Sequence, residues 1–175
     1  GGGLPSGLLG FSQSASAAWI GWPGPMSAAT SRAGRRSLEA QLRAHNLKLV
    51  ELDQSDVEGY YDGFSNAVIW PLFPYLLHRI PLRSQNWDAY RRVNQRFADA
   101  VVEELQPGDL VWVHDYHLML VPGLVRERRP DARIGFFLHI PFPAPEVFRI
   151  LPWRRELLMG VLGAVLVGFH TPSYA

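Results

Sequence analysis

The strongest constraint on the fold is an alternation of short, continuous apolar runs with amphipathic stretches. The apolar runs are residues 18–22, 47–52, 110–113, 134–138 and 164–169, and each has the length of a strand. Strands that are apolar throughout are typical of parallel sheets with helices on both faces. The chain is therefore predicted to have an α/β fold with a doubly wound, Rossmann-like parallel sheet, and residues 1–175 are assigned to a single domain.

Helical spacing occurs in residues 37–46, 86–105 and 118–129. In the second of these stretches apolar side chains recur every three or four positions, which predicts that Trp87 and Tyr90 belong to the core. The segment 24–36 is rich in Gly, Ser, Ala and Arg and is predicted to be a surface loop.

Composition excludes several classes of function. Seventeen Lys and Arg against sixteen Asp and Glu give a net charge of +1, too small to hold the chain on nucleic acid or an anionic membrane. The absence of cysteine excludes disulfides, thiol nucleophiles and Cys-ligated metals, and fits a reducing, cytoplasmic location. The longest apolar run, residues 157–169, is shorter than the roughly twenty residues of a membrane span and is predicted to be a buried core segment.

The two ends of the sequence suggest a piece of a longer protein. The chain begins without a methionine and stops shortly after its last strand-like run. We therefore expect the domain to be truncated at both ends.

Polar side chains follow three of the predicted strands. His114 and Asp115 come directly after the third apolar run, His139 after the fourth and His170 after the fifth. One crossover helix fits between the third and fourth runs, which would make these two strands parallel neighbours. Ligands bind beyond the carboxyl ends of such strands, so Asp115 and His139 are predicted to lie together in a site. Taken singly, Asp115 or His117 would be read as a helix cap.

The same residues permit two other kinds of site. His114, His117 and His139 with Asp115 could hold iron or zinc. His114 and His117 are three positions apart across a strand end, so it is undecided whether their side chains point the same way, and no helical HExxH motif supports a metal site. Asp115 and Glu146 could form the carboxylate pair of a hydrolase. Glu146 also suits the first turn of a helix, where its charge favours the helix dipole. We therefore predict no metal and no other cofactor.

Aromatic residues are interleaved with Asn, Ser and Asp in the segment 60–71, a composition that can bind a sugar through ring faces and hydroxyl partners. Phe64 and Phe73 are assigned to the core. The spacing alone leaves Tyr61 and Trp70 undecided between core packing and sugar binding.

These segments resemble the trehalose-6-phosphate synthase family. The matching stretches occur in the family's order. They are GGGLPSGLLG, YYDGFSNAVIWPLFPY, the long helical stretch with Trp87, Tyr90 and Asn94, GDLVWVHDYHLMLVP, RIGFFLHIPFPAPEVFRILP and LVGFHTPSYA. The resemblance implies the amino-terminal, acceptor-side domain of a GT-B glycosyltransferase. It also implies transfer of glucose from UDP-glucose, or another nucleotide-glucose, to glucose 6-phosphate with retention and without a protein nucleophile.

The resemblance implies a role for individual residues. Tyr61 and Asp115 would hold glucose 6-phosphate, and His139 would lie beside the transferred glucose, which makes Asp115 and His139 the catalytic candidates. Trp70 and Ile140 would shape the selectivity for the anomer.

Near the start of the chain, Gly2 and Gly3 would approach the sugar nucleotide. An opening strand with a phosphate-binding Arg, and the carboxyl half that neutralises the donor diphosphate, would lie outside this chain, so the chain alone is expected to have little or no activity.

Two related functions stay open at this point. One is a glycosyltransferase with another acceptor, of the glucosylglycerol-phosphate synthase type. The other is a catalytically silent homologue that binds a sugar phosphate. A homo-oligomer is also left open.

Overall fold

The structure, a computed structural model, describes residues 17–22, 24, 46–73 and 80–170. The chain divides into two compact units, Gly1–Glu51 and Leu52–Ala175. In the first unit, β1 (Trp19–Gly21) and β2 (Leu47–Leu49) pair in parallel, which confirms the two predicted strands in shorter form. The predicted helix 37–46 and loop 24–36 lie outside the described residues, apart from Asn46 and Gly24.

The second unit contains a parallel sheet of three strands in the order β3, β4, β5. The strands are β3 (Leu110–His114), β4 (Arg133–Leu138) and β5 (Leu166–Phe169). The register places His114 opposite Phe137 and Leu138 opposite Phe169. The adjacency of the third and fourth predicted strands is confirmed, so their carboxyl ends lie at one edge of the sheet.

One face of this sheet is buried. The alternate residues Val111 and Val113 of β3, and Ile134, Phe136 and Leu138 of β4, are at most 9% exposed, as expected where side chains alternate between two faces. The crossover between the strands contains a 3₁₀ turn, Tyr116–Leu118, followed by helix α3 (Val121–Arg128), which confirms the predicted helix 118–129 in shorter form.

A helix that the sequence analysis did not predict, α1, covers residues 54–72. It begins with an α-helical turn, Gln54–Asp56, continues as a π-helix over Val57–Ile69, and ends with Trp70–Leu72. The N–H of Trp70 donates to the carbonyl of Ser65, five residues earlier, as a π-helix requires. This helix carries the whole aromatic segment in which Tyr61 and Trp70 were left undecided.

The long helix α2 (Ser84–Glu104) confirms the prediction for residues 86–105. Trp87 and Tyr90 are 5% and 0% exposed, so their assignment to the core is also confirmed. The helix packs closely on α1, since a Cβ added at Gly63 would lie 2.6 Å from the Asn86 side chain. The buried carboxylate of Asp56 accepts from two arginines of α2, Arg92 at 3.2 Å and Arg96, and so ties the start of α1 to α2.

The prediction that residues 157–169 form one buried segment is wrong. Helix α5 (Arg154–Val161) follows the short helix α4 (Pro145–Phe148) and ends within this run, and β5 begins later in it. Leu157 and Val161 are buried, whereas five apolar side chains are 38–72% exposed: Leu158, Met159, Leu162, Val165 and Leu166. Only one side of α5 packs on the core, and an apolar composition does not specify that direction. Among the described residues, no helix is both long and apolar enough to cross a membrane.

Candidate functional site

The carboxyl ends of β3 and β4 are joined through Asp115 and His139. The N–H of Asp115 donates to the carbonyl of Phe137 at 2.8 Å, which continues the strand ladder by one bond. The carboxylate Oδ1 of Asp115 then accepts from the N–H of His139 at 3.4 Å, and from the N–H of Tyr116 at 3.0 Å. The structure therefore confirms the prediction that Asp115 and His139 are neighbours. Their roles in catalysis stay predictions.

The backbone of Asp115 explains why its side chain takes this position. Its φ of 71° and ψ of 169° lie in a region that is nearly exclusive to glycine. In a regular parallel ladder, the N–H of His139 would bond to the carbonyl of Asp115. The unusual backbone leaves Oδ1 in place of that carbonyl, so the carboxylate lies at the strand end, where ligands bind in open α/β sheets. Strain of this kind clusters at functional sites.

Three imidazoles surround this junction. Nδ1 of His114 lies 3.1 Å from Nε2 of His139, and the ring of His170 is centred 6.3 Å from that of His139. Burial lowers the pKa of His114 below its ordinary value, and repulsion from His139 lowers it further, against the opposite effect of Asp115. Burial also lowers the pKa of His139, where Asp115 acts to raise it and His170 to lower it. Both imidazoles are therefore held toward their neutral forms.

An aromatic ledge, formed by Tyr61, Trp70, Tyr116 and His117, borders Asp115. Tyr61 stacks on His117 with ring centroids 5.4 Å apart, His117 lies against Tyr116 at 4.0 Å, and Trp70 lies 5.9 Å from Tyr116. Tyr61 and Trp70 are 37% and 45% exposed. The two residues that the spacing left undecided are thus not core residues, and they form the exposed part of the ledge.

His117 contacts both tyrosines of this ledge. Its Nε2 is buried and has no hydrogen-bond partner among the residues that the structure describes. Burial lowers the pKa of His117, and the nearby charge of Asp115 opposes that shift. His117 therefore contributes a neutral ring to which Tyr61 and Tyr116 pack, and it lies apart from the pair formed by His114 and His139.

Two buried residues of α2 hold the loop that carries the site. The hydroxyl of Tyr90 donates to the carbonyl of Tyr116 at 2.7 Å and accepts from the N–H of Met119 at 3.1 Å. The side chain of Asn94 donates to the carbonyl of His117 at 3.1 Å and accepts from the N–H of Leu120 at 3.1 Å. The sequence alone predicts no role in the site for either residue. The available signal was a polar Asn94 within an apolar helical stripe.

The other predicted site residues are placed as follows. Ile140 is 6% exposed and follows His139 directly. Gly2 and Gly3 lie outside the described residues. Glu146 is exposed in the first turn of α4, as its helix-start interpretation predicts. Within residues 17–22, 24, 46–73 and 80–170, no group of three His, Asp or Glu side chains could hold a metal ion.

A cleft of about 730 Å³ lies between α1 and the start of α2, lined in part by Glu58, Asp62, Arg83 and Arg92. None of Tyr61, Trp70, Asp115 and His139 lines it. The cleft is therefore distinct from the junction at the strand ends.

Known proteins resemble this chain along almost its full length. A family model described as glycosyltransferase family 20 matches residues 1–175. An Aspergillus niger protein, alpha,alpha-trehalose-phosphate synthase [UDP-forming] 1, is 46% identical over 178 residues, which cover 99% of this chain and 34% of that protein.

Two solved structures share the fold. One, a trehalose-6-phosphate protein from E. coli bound with UDP-2-fluoro glucose, matches with a TM-score of 0.83 and 38% identity over 99% of this chain and 38% of its own. The other, the N-terminal domain of Candida albicans trehalose-6-phosphate phosphatase, matches with a TM-score of 0.77 and 33% identity over 89% of this chain and 33% of its own. The chain thus spans about a third of the length of these proteins. The likeness confirms the predicted fold class, a Rossmann-like α/β domain of a GT-B glycosyltransferase.

Proposed function

The chain belongs to glycosyltransferase family 20, and from that membership we propose that it is part of a UDP-forming α,α-trehalose-phosphate synthase. The proposed reaction transfers glucose from UDP-glucose to glucose 6-phosphate with retention, in the biosynthesis of trehalose. The structural observation that supports this proposal is the hydrogen bond between the His139 N–H and the Asp115 carboxylate at 3.4 Å, with Tyr116 of the aromatic ledge bonded to the same oxygen. A cytoplasmic location belongs to the same proposal, since a chain without cysteine suits a reducing compartment.

Asp115 is proposed to bind a hydroxyl of the acceptor sugar. Its Oδ1 is engaged by the N–H groups of Tyr116 and His139, whereas Oδ2 takes no part in those two bonds and can accept from a sugar hydroxyl. A hydrogen bond to an ionised carboxylate is stronger than one between neutral groups. The exposed rings of Tyr61 and Trp70 can pack against the apolar faces of the same sugar.

The remaining assignments concern the donor and the geometry of transfer. His139 is proposed to lie beside the transferred glucose, with Ile140 shaping the selectivity for the anomer and Gly2 and Gly3 approaching the nucleotide. Without a protein nucleophile, the enzyme must place the acceptor hydroxyl against the donor carbon and stabilise the departing diphosphate. The second task is assigned to a carboxyl-terminal half, so this chain by itself should show little or no turnover.

A second candidate is a domain that binds a sugar phosphate without transferring glucose. The observation in its favour is the fold shared with a domain of a protein named as a phosphatase, at 33% identity. Both candidates use the same Asp115 and aromatic ledge. They differ only in whether glucose is transferred.

The test uses the full-length protein with UDP-glucose as donor and either glucose 6-phosphate or glycerol 3-phosphate as acceptor. Release of UDP with glucose 6-phosphate alone supports the synthase. Release with glycerol 3-phosphate indicates a relative with another acceptor. Binding of glucose 6-phosphate by calorimetry without any UDP release supports the silent sugar-phosphate domain.

Asp115→Asn is the matched variant, because it keeps the shape of the side chain and removes its charge. We expect it to weaken glucose 6-phosphate binding by about 1.5–3 kcal/mol, the range for a hydrogen bond to a charged group. Turnover lost with unchanged affinity for glucose 6-phosphate would refute the assignment of Asp115 as an acceptor ligand.

A further inference from the structure

His114 and His139 face each other across the ends of neighbouring strands. His114 is opposite Phe137 in the register, and His139 comes two residues after Phe137, directly past the end of β4. The ring centroids are 5.4 Å apart, and Nδ1 of His114 lies 3.1 Å from Nε2 of His139.

We propose that His114 is a positioning residue, which fixes the ring orientation and the tautomer of His139 through the bond between His114 Nδ1 and His139 Nε2. The inference rests on the proposed function in so far as His139 lies beside the transferred sugar. It adds a residue to the site for which the preceding assignments gave no role.

The backbone and the ring of His139 are held separately. Its N–H is bound by the carboxylate of Asp115, which fixes the main chain but leaves rotation about the side-chain bonds free. Phe137 packs against the His139 ring at 4.7 Å, and Trp112 packs against the His114 ring at 4.7 Å. The bond from His114 is the contact that selects one ring orientation among those compatible with this packing.

The bond also constrains the protons. Of the two facing nitrogens, His114 Nδ1 and His139 Nε2, one must carry the hydrogen and the other must offer a lone pair. These two nitrogens therefore cannot both be protonated while the bond exists. Nε2 of His139 is engaged in either case, which leaves Nδ1 as the ring nitrogen through which His139 can bind a ligand. A neighbouring hydrogen bond is known to set which histidine nitrogen is protonated. Among the residues that the structure describes, the charged or titratable groups that face the pair are Asp115 and, on the His139 side, His170.

Three substitutions in the full-length protein separate positioning from packing. His114→Phe keeps an aromatic ring against Trp112 and removes Nδ1. His114→Asn places an amide atom on Cγ, where Nδ1 is attached, whereas His114→Gln extends the amide one bond further. Arg133→Gln, at the exposed amino end of β4, serves as the control for an unrelated surface change.

The first measurement does not depend on activity. In protein labelled with ¹⁵N in histidine, the ring signals of His139 are assigned by their loss in His139→Gln. We expect a single tautomer in the wild type and in His114→Asn, and averaged tautomer signals in His114→Phe and His114→Gln. Averaged signals in the wild type, or a single tautomer in every variant, would overturn the proposal.

The second measurement is steady-state transfer from UDP-glucose. Because misplaced groups cost up to about 100-fold in rate, we expect His114→Phe to lower kcat by roughly 10- to 100-fold while KM for glucose 6-phosphate changes little. His114→Asn should recover most of the lost kcat, and His114→Gln should not. Equal recovery by both amides would contradict the Nδ1 geometry. If the wild type is inactive but His114→Phe still gives averaged tautomer signals for His139, the synthase proposal fails and the positioning role of His114 stands.

Discussion

The loop that carries the candidate site should depend on Asn94, which lies on another element of the fold. Asn94 is fully buried in α2, and its side chain binds the carbonyl of His117 and the N–H of Leu120. Asn94→Leu keeps the branching of the side chain but removes both of these bonds, together with the bond that Nδ2 donates to the carbonyl of Tyr90 within α2 at 2.9 Å. We expect local opening of residues 116–120 to become easier without loss of the surrounding helix.

The magnitude follows from the two groups left behind. A buried donor or acceptor that loses its partner costs about 1–3 kcal/mol, so the Leu120 N–H and the His117 carbonyl together cost about 2–6 kcal/mol. The larger apolar side chain offsets part of that cost, which leaves an expected loss of about 3 kcal/mol. At about 1.4 kcal/mol for each factor of ten, the Leu120 amide should exchange with solvent roughly 100-fold faster.

The assay is hydrogen exchange of the full-length protein, followed at the peptide that contains Leu120. Gln95→Leu is the matched control, because Gln95 is exposed at the next position of α2 and its side chain donates to the carboxylate of Asp99 at 3.0 Å. Exchange in this control should stay within about twofold, since exposed pairs at this spacing are worth roughly 0.2–0.5 kcal/mol. Equal exchange in Asn94→Leu and Gln95→Leu would refute the claim that α2 holds the loop.

Three further outcomes are expected in the full-length protein. Asp115→Gly should unfold at a higher urea concentration than Asp115→Ala, because both variants lose the carboxylate but only glycine adopts a φ of 71° without strain. The expected difference in the free energy of unfolding is about 1 kcal/mol, after the larger conformational entropy of unfolded glycine is subtracted. Equal urea midpoints would contradict the strain. Gly63→Ala should destabilise by about 1–3 kcal/mol, since its Cβ would lie 2.6 Å from Asn86, whereas Gly135→Ala, with its nearest atom at 3.8 Å, should cost less in the same urea titration. Burial lowers the pKa of His117, so below about pH 6.5 the unfolded state binds protons that the folded state does not. The free energy of unfolding should therefore fall as the pH falls. If His117→Phe leaves the slope of the urea midpoint against pH unchanged, the titration of His117 is not the cause.

The strands could be predicted because their signal is local. Residues 110–113 and 134–138 are continuously apolar and separated by one helical stretch, and right-handed crossovers of this length make parallel neighbours. That topology is enough to place Asp115 and His139 together at one edge of the predicted sheet. The hydrogen bond between His114 and His139 was not predictable in the same way, because it depends on ring orientations at the strand ends.

Helix α1 was missed for a physical reason. Its π-helical stretch, Val57–Ile69, departs from the 3.6-residue period by which helices are recognised. Its glycines, Gly59 and Gly63, and its polar residues are typical of a turn when read alone. Those glycines are required by the close approach of α2, a tertiary contact that the local sequence does not reveal.

The arrangement at Asp115 links the strain of one residue to the order of the whole site. If the chain continued the ladder with ordinary strand dihedrals, the carbonyl of Asp115 would bind the N–H of His139 and the carboxylate would be free to sample several rotamers. In the observed backbone, Oδ1 takes two N–H groups, and the loop that enforces it is bound by Tyr90 and Asn94 from α2. The free energy needed to hold an unfavourable φ is thus supplied by buried hydrogen bonds from α2. A substitution in α2 should therefore impair the site through the orientation of Asp115, even though α2 contributes no side chain to it.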